Sequence, residues 1–187
     1  MNDTIRCAWC EKDDLYRDYH DKEWGKPVYD DEMIFEFLIL ESFQAGLSWY
    51  TILAKREHFR KALDSFNYKK IAKYDDKKVE ELFQNPGIVR NRLKVLATIT
   101  NAQKFMEIQK EFGSFSKYMW NFTGGKPIDN QPETLQDIPA TTEISDALSK
   151  DLKKRGFKFL GSTVVYAHMQ ATGMVNDHVM DCHTRAK

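Results

Sequence analysis

The chain has 187 residues, of which 42 % are hydrophobic and 30 % charged, values that fit one globular domain over residues 1–187 with its own core. Lys plus Arg and Asp plus Glu both number 28, so overall charge predicts neither nucleic-acid nor acidic-surface binding, and any such site must depend on local charge. No apolar run approaches the roughly 20 residues of a membrane span, and the N-terminus lacks a signal-peptide core, so we expect a cytoplasmic protein without a membrane partner.

Helical periodicity dominates the sequence from residue 30 onward. Acidic residues and serines mark helix starts, because their side chains stabilise the free backbone N–H groups of a first turn. The predicted helices run from Asp30 to about Ser42, from Ser48 toward Leu63 and Phe66, from Asp75 to Phe83, from about Val89 to Glu111, from Ser114 or Ser116 to near Phe122, from Thr142 to Lys154 and from Gly161 to Thr172.

Glycine and proline separate these predicted helices. Pro86-Gly87, Gly156 and Gly173 follow the ends of helical patterns, and residues 123–139 have the polar, turn-like composition of an exposed loop. No segment shows a convincing alternation of apolar and polar residues, which would indicate a strand. The sequence therefore predicts an all-α fold.

One predicted helix carries an acid among apolar side chains. Glu41 follows the almost wholly apolar run from Met33 to Leu40, and a small-residue turn then leads to Leu47 and Trp49. A buried carboxylate costs several kcal/mol unless it is paired. Glu41 therefore predicts a partner, which is either an arginine, a helix end or a positively charged ligand.

Cysteine and histidine residues gather near both ends of the chain. An odd number of cysteines without an export signal argues against a disulfide framework and leaves thiols or metal ligands. His178 and Cys182 are four residues apart, a spacing that suits one helical turn and one ion, and Cys7 and His20 can complete a four-ligand zinc site. Cys10 and His183 are rival ligands, and buried thiols with surface histidines, or a redox pair at positions 7 and 10, are the alternatives without such a site.

The segment Asn85-Pro86-Gly87-Ile88-Val89-Arg90 lies between two predicted helices, with Arg92 and Lys94 just beyond it. Free N–H groups of a glycine-containing turn, together with the positive end of the next helix, can form a phosphate-binding site. The same segment also fits an ordinary turn between two antiparallel helices.

Five blocks of the sequence together identify a family. They are Arg6-Cys7-Ala8-Trp9, Tyr19-His20-Asp21-Lys22-Glu23-Trp24-Gly25, residues 40–49 (LESFQAGLSW), residues 149–161 (SKDLKKRGFKFLG) and Val175-Asn176-Asp177-His178. With these blocks in order along nearly its whole length, the chain resembles the DNA-3-methyladenine glycosylase I family, monofunctional enzymes of the helix-hairpin-helix glycosylase superfamily.

The resemblance implies an all-α helix-hairpin-helix glycosylase fold, with the motif at about residues 79–100 and a structural zinc that joins the two termini. The family's zinc ligands fall on Cys7, His20, His178 and Cys182, one ion per chain. The implied reaction is hydrolysis of the N-glycosidic bond of 3-methyladenine in alkylated double-stranded DNA, which releases the free base, leaves an abasic site and involves no lyase step. Ser42 stands where glycine is common in the motif, and Cys10 adds a thiol near the zinc cysteine.

The resemblance also implies roles for individual residues, because a base must leave the duplex before its glycosidic bond can be reached. Glu41 is the predicted catalytic residue, whose carboxylate recognises a cationic base, and aromatic rings bind that base through stacking and cation–π attraction. We expect a monomer. The residues predicted to bind the base are Trp9, Tyr16, Tyr19 and Trp49, and those predicted to form the DNA wedge are Gln44, Gly46 and Leu47. The residues predicted to contact phosphate are Gly87, Arg90, Arg92 and Lys94. A second group either contacts phosphate or forms a solvated helix end, namely Lys153, Lys154, Arg155 and Lys158.

Overall fold

The computed structural model describes residues 4–185, and within this range it is built almost wholly of helices. The α-helices are α1 (Asp14–Lys22), α2 (Asp31–Gln44), α3 (Trp49–Leu53), α4 (Arg56–Ala62), α5 (Tyr68–Ile71), α6 (Asp76–Gln84), α7 (Arg92–Phe112), α8 (Phe115–Trp120), α9 (Glu143–Lys154) and α10 (Ser162–Ala171). Short 3-10 helices cover Ala8–Cys10, Asp64–Phe66, Asn121–Thr123 and Leu135–Asp137. None of the described helices is both long enough and apolar enough to cross a membrane.

Side-chain caps fix most of the predicted helix starts. Asp30, Ser48, Asp75 and Ser114 each accept a hydrogen bond from the backbone N–H three residues later, as the sequence predicts. The continuous helix expected after Ser48 is wrong, because the chain turns between α3 and α4 and again after α4.

The first helix and a pair of strands are among the features of the fold that were not predicted. Helix α1 begins behind Asp13, whose carboxylate accepts from Tyr16 N at 3.0 Å. Two short strands, β1 (Ile128–Asp129) and β2 (Val175–Asn176), pair in parallel with Ile128 opposite Val175. A two-residue strand is too short to show alternation, so the expectation of no strand is wrong in this one place.

Helix α2 is the central element of the core. It packs against α3, α7, α8 and α10, and nearly every side chain from Ile34 to Phe43 is buried. Each fully buried leucine, isoleucine or phenylalanine contributes about 1.5–3 kcal/mol of transfer free energy. The last turns of this buried helix carry Glu41, so the acid is placed inside the protein.

The segment after α10 returns to the N-terminal part of the chain through a close backbone contact. Gly173 has φ +67°, and a Cβ atom there would lie 2.3 Å from the carbonyl carbon of Lys26. Val28 N donates to Thr172 O at 3.0 Å beside this crossing. Only glycine fits such a contact, which brings β2 and the residues after it to the N-terminal helix.

Candidate active site and metal centre

A cavity of about 200 Å³ opens between α1, α2, α3 and α10. An apolar cavity of about 150 Å³ already accepts one benzene ring, so this one has room for a flat, two-ring base. Its lining residues are Trp9, Tyr16, Tyr19, Trp24, Glu41, Gln44, Trp49, Ile138, Ala167 and Gln170. The structure thus brings together the acid and all four aromatic residues for which the sequence predicted a role in base binding.

Glu41 is the acidic residue of the cavity. Its side chain is 2 % exposed, and its Oε2 atom has no hydrogen-bond partner among the described residues. The arginines near α2 are used elsewhere, since both Arg56 and Arg60 bind Glu36. Burial raises the pKa of the Glu41 carboxyl well above its ordinary value. Neither arginine is therefore the partner of Glu41, which lines the cavity.

Aromatic rings form the cavity walls by packing against one another, edge to face around Trp9 and tilted by 48° between Tyr19 and Trp49. The Trp9 ring centre lies 4.9 Å from that of Tyr16 and 5.0 Å from that of Trp24. Tyr19 lies 5.4 Å from Trp49 on the other side. Such packing holds each ring in one orientation, so the cavity is formed before a ligand enters.

Helix α10 contributes a wall that the sequence analysis missed. Ala167 and Gln170 are three residues apart, and both line the cavity. Trp24 and Ile138 were also missed, although Trp24 lies in one of the quoted sequence blocks. The signal for Gln170 was the same as for Glu41, because it is a polar residue inside a helix predicted to be buried.

The predicted wedge lies on an exposed loop beside the cavity. Gly46 has φ +80°, which lets the chain turn sharply at the end of α2, and Leu47 is 41 % exposed. Gln44 lines both this cavity and a neighbouring depression of about 240 Å³ that is also lined by Leu47. A large apolar side chain therefore stands in solvent beside the cavity.

The segment 85–91 connects α6 to α7, but two predicted phosphate ligands are already engaged. Gly87 N donates to Asn85 Oδ1 at 2.8 Å, so its N–H is not free. Lys94 is 5 % exposed, and its ammonium donates to the carbonyls of Phe43 and Ala45 at 2.8 and 2.7 Å. The prediction of a phosphate contact at Lys94 is therefore wrong, because its charge is turned inward to bind the C-terminal end of α2.

The remaining cations differ in how freely they face solvent. Arg90 is exposed, whereas Arg92 is exposed but donates to Glu80 at 2.7 Å. Arg155 binds Asp151 and Glu111, while the neighbouring Lys153, Lys154 and Lys158 are exposed.

Four buried residues from both ends of the chain form a cluster that can hold a metal ion. Cys7, His20, His178 and Cys182 place their ligand atoms within 4.8 Å of one another. Cys182 follows a turn at Val179 rather than a helical turn, so the predicted local structure there is wrong although the pairing with His178 stands. Neither rival ligand takes part: Cys10 Sγ donates to Cys7 O, and His183 contacts Asp21.

The distances in this cluster match a tetrahedral site. The two histidine nitrogens are 3.2 Å apart, and three sulfur–nitrogen distances are 3.5, 3.6 and 3.7 Å. Tetrahedral zinc bonds to nitrogen and sulfur correspond to about 3.3 Å between nitrogens and about 3.6 Å between nitrogen and sulfur. A hydrogen bond with Cys7 holds the pKa of the Cys182 thiol far below its ordinary value.

Hydrogen bonds outside the cluster orient both histidine rings. His178 Nε2 lies 3.1 Å from Trp24 O, a pure acceptor, so Nε2 carries the proton and Nδ1 offers its lone pair to the cluster. His20 Nδ1 lies 2.7 Å from Asp21 Oδ1, which leaves Nε2 for the cluster in the same way. Arg6 in turn holds Asp21 at 2.9 Å.

The cluster lies directly behind the aromatic wall of the cavity. The His20 ring centre is 5.3 Å from Trp9, and the His178 ring centre is 4.7 Å from Trp24. An ion that fixes these histidines also fixes the two tryptophans, so the cluster supports the cavity without lining it.

Comparison with known proteins assigns the chain to a family. The model of the methyladenine glycosylase family matches residues 9–186. The chain is 48 % identical over 179 residues to the DNA-3-methyladenine glycosylase of Haemophilus influenzae, with 96 % of this chain and 97 % of the relative covered. It is 47 % identical to DNA-3-methyladenine glycosylase 1 of Escherichia coli, with 95 % of each chain covered.

Solved structures share the fold. A crystal structure of a 3-methyladenine DNA glycosylase I superposes with a TM-score of 0.93 at 46 % identity, covering 96 % of this chain and 98 % of that one. A variant of such an enzyme in complex with 3-methyladenine gives 0.94 at 40 % identity over 97 % and 98 %. The Staphylococcus aureus enzyme gives 0.95 at 40 % identity over 98 % of both chains. The aromatic cavity, the buried acid and the match over nearly the whole sequence together show that the chain belongs to the methyladenine glycosylase family.

Proposed function

We propose that the protein is a monofunctional DNA glycosylase that rotates 3-methyladenine out of alkylated duplex DNA and hydrolyses its N-glycosidic bond. The products are the free base and an abasic site. The observation that carries this proposal is the buried Glu41, whose Oε2 has no hydrogen-bond partner within residues 4–185 and which lines a cavity walled by aromatic rings. A protein relative with this fold is solved in complex with 3-methyladenine, which supports the same ligand here.

Charge selects the alkylated base in this proposal. Methylation makes the adenine in DNA cationic, and burial disfavours the ionised form of Glu41 in the empty cavity. A cationic guest supplies the missing opposite charge, so its entry stabilises the carboxylate, which then accepts from the exocyclic amine. The aromatic walls add a cation–π attraction of ~0.5–2 kcal/mol that neutral adenine lacks.

Hydrolysis follows from the same arrangement. The alkylated purine leaves as a neutral base, so its glycosidic bond is already weak, and water can attack a sugar with oxocarbenium character. We assign no covalent lyase step to the reaction. Positioning of the extruded nucleotide, rather than a strong general base, then provides most of the rate enhancement.

The DNA-binding surface comprises the loop at Leu47 and the connection between α6 and α7. We assign Leu47 to the gap that the extruded base leaves, with Gln44 beside it and Gly46 permitting the turn. The α6–connection–α7 unit acts as the helix-hairpin-helix motif, where Arg90 and Arg92 contact phosphate. Wedge, cavity and hairpin all belong to one chain, which supports a monomer acting on one lesion.

We assign zinc to the cluster of Cys7, His20, His178 and Cys182. Two thiolates and two imidazoles are a donor set that zinc prefers, and four protein ligands leave no open position for water. The ion therefore adds folding free energy by joining the two ends of the chain, and it takes no part in the reaction. Cysteines that form no disulfide and a DNA substrate support a cytoplasmic location.

Incubation with methylated duplex DNA, followed by chromatography of the released purines, tests this function. We expect release of 3-methyladenine with little 7-methylguanine. Glu41→Gln should lower the single-turnover rate by about 10²-fold, the scale of losing one electrostatic contact in an active site. Glu143→Gln, an exposed change of the same kind on α9, should leave the rate at its original value. Binding of DNA without release of any purine would instead identify a non-catalytic DNA-binding module.

A further inference from the structure

A buried acid outside the cavity controls one cavity-lining side chain. Asp177, just after β2, is fully buried and accepts three hydrogen bonds. Gln170 Nε2 and the Tyr166 hydroxyl both donate to its Oδ2 atom at 2.7 Å, and Asn130 Nδ2 donates to its Oδ1 atom at 2.7 Å. Three donors for one buried carboxylate make a satisfied network, so this acid is held in place.

The network determines which way the Gln170 amide faces. A carboxylate oxygen only accepts, so the NH₂ end of the amide must face Asp177. A flipped amide would place its carbonyl oxygen 2.7 Å from a carboxylate oxygen, with two acceptors in repulsion and no donor between them. The carbonyl oxygen of Gln170 is therefore the polar atom left for a ligand in the cavity that this residue lines.

Gln170 and Glu41 line the same cavity from two helices that pack together, α10 and α2. We propose that Gln170 is a specificity-determining residue whose carbonyl oxygen accepts the second N–H of the base's exocyclic amine, and that Asp177 is its positioning residue. A 6-aminopurine offers two N–H donors at this position, one for each acceptor. The inference rests on the proposed function, since it names the feature of the base that the same cavity reads.

The consequence is rejection of 6-oxopurines. A 6-oxo group is an acceptor, and it would face a carbonyl oxygen that cannot turn away. Glu41 does not provide this discrimination alone, because a protonated carboxyl can donate to an oxo group as well as an ionised one can accept from an amine. A site built to bind a particular N–H rejects an analogue lacking it, since its own polar group is then left unpaired.

Binding of two free bases to the full chain tests the proposal, with tryptophan fluorescence of the cavity as the signal. The bases are 3-methyladenine and 3-methylhypoxanthine, which differ in the 6-amino or 6-oxo group. In the wild-type protein we expect 3-methyladenine to bind at least tenfold more tightly. Gln170→Leu removes the acceptor and Asp177→Asn removes the anion that orients it; each should reduce this preference at least fivefold.

Two matched variants separate specificity from general damage. Gln103→Leu makes the same chemical change on an exposed face of α7, and Tyr166→Phe removes one hydrogen bond from Asp177 while leaving Gln170 bound to it. Both should keep the wild-type ratio of the two dissociation constants. A ratio unchanged in both Gln170→Leu and Asp177→Asn overturns the assignment, as does wild-type binding of both bases with equal affinity. Wild-type protein that binds neither base overturns the proposed function itself.

Discussion

Removal of one buried histidine should stabilise the protein, increasingly so in acid. His168 on α10 is 1 % exposed, and neither ring nitrogen has a hydrogen-bond partner among the described residues. Burial lowers its pKa from 6.5 to about 3. Because the folded pKa is depressed, the unfolded chain binds a proton that the folded chain does not, and folding stability is lost as pH falls below the unfolded pKa of about 6.5.

The magnitude follows from these two pKa values. At pH 5 the gap from the unfolded pKa is about 1.5 units at 1.36 kcal/mol each, so His168 costs roughly 2 kcal/mol that it does not cost at pH 7.5. His168→Leu removes this cost and also relieves the unpaired nitrogens, a gain of about 1–3 kcal/mol at every pH. For a chain of this size the acid-dependent part alone raises Tm by ~4–8 °C at pH 5.

Urea unfolding of wild type, His168→Leu and His168→Gln at pH 7.5, 6 and 5 measures both parts. Other titrating groups, including the metal cluster, are common to the three proteins and cancel in the differences. Both variants should gain roughly 2 kcal/mol relative to wild type between pH 7.5 and pH 5, whereas only leucine should also gain at pH 7.5. A stability difference that stays constant with pH would show that the imidazole is solvated or paired, and would refute the reasoning.

Four further outcomes are expected. Burial raises the pKa of the Glu41 carboxyl, so the contribution of this group to folding stability is complete below its unfolded pKa and is lost at higher pH. Glu41→Gln should therefore raise Tm at pH 8 but not at pH 4. An equal change in Tm at both pH values would contradict this reasoning. Metal analysis should find one zinc per chain, absent in Cys182→Ser and retained in Cys10→Ser, whereas metal-free wild type would remove the zinc assignment. Lys94→Met should lower the free energy of unfolding in urea by ~2–3 kcal/mol, because it leaves two carbonyls at the end of α2 without a charged donor. It should not change the slope of log K for DNA binding against log salt concentration, whereas Arg90→Met should reduce that slope by about 1. Gly173→Ala should unfold the protein or abolish its expression, and a wild-type Tm would show that Lys26 moves aside at low cost.

The sequence by itself determined where several helices begin and that one of them carries an acid among apolar residues. Capping residues such as Asp30 and Asp75 act within a few residues of themselves, so local pattern was sufficient to predict where α2 and α6 begin. The odd placement of Glu41 in an apolar helix was likewise visible, because burial of an uncompensated charge has the same cost in any fold.

Tertiary structure decided everything that depends on which groups meet. Lys94 looks like a phosphate ligand beside Arg90 and Arg92, and only the packing of α7 against the end of α2 turns its ammonium inward. The choice of Cys7 rather than its rival Cys10, and the hydrogen bond from Gln170 to Asp177, depend on contacts between residues distant in sequence or on separate elements. The local sequence pattern determines the secondary structure of each segment. The close backbone contact at Gly173 determines which side chains distant in sequence share one site, and periodicity along the chain carries no information about such contacts.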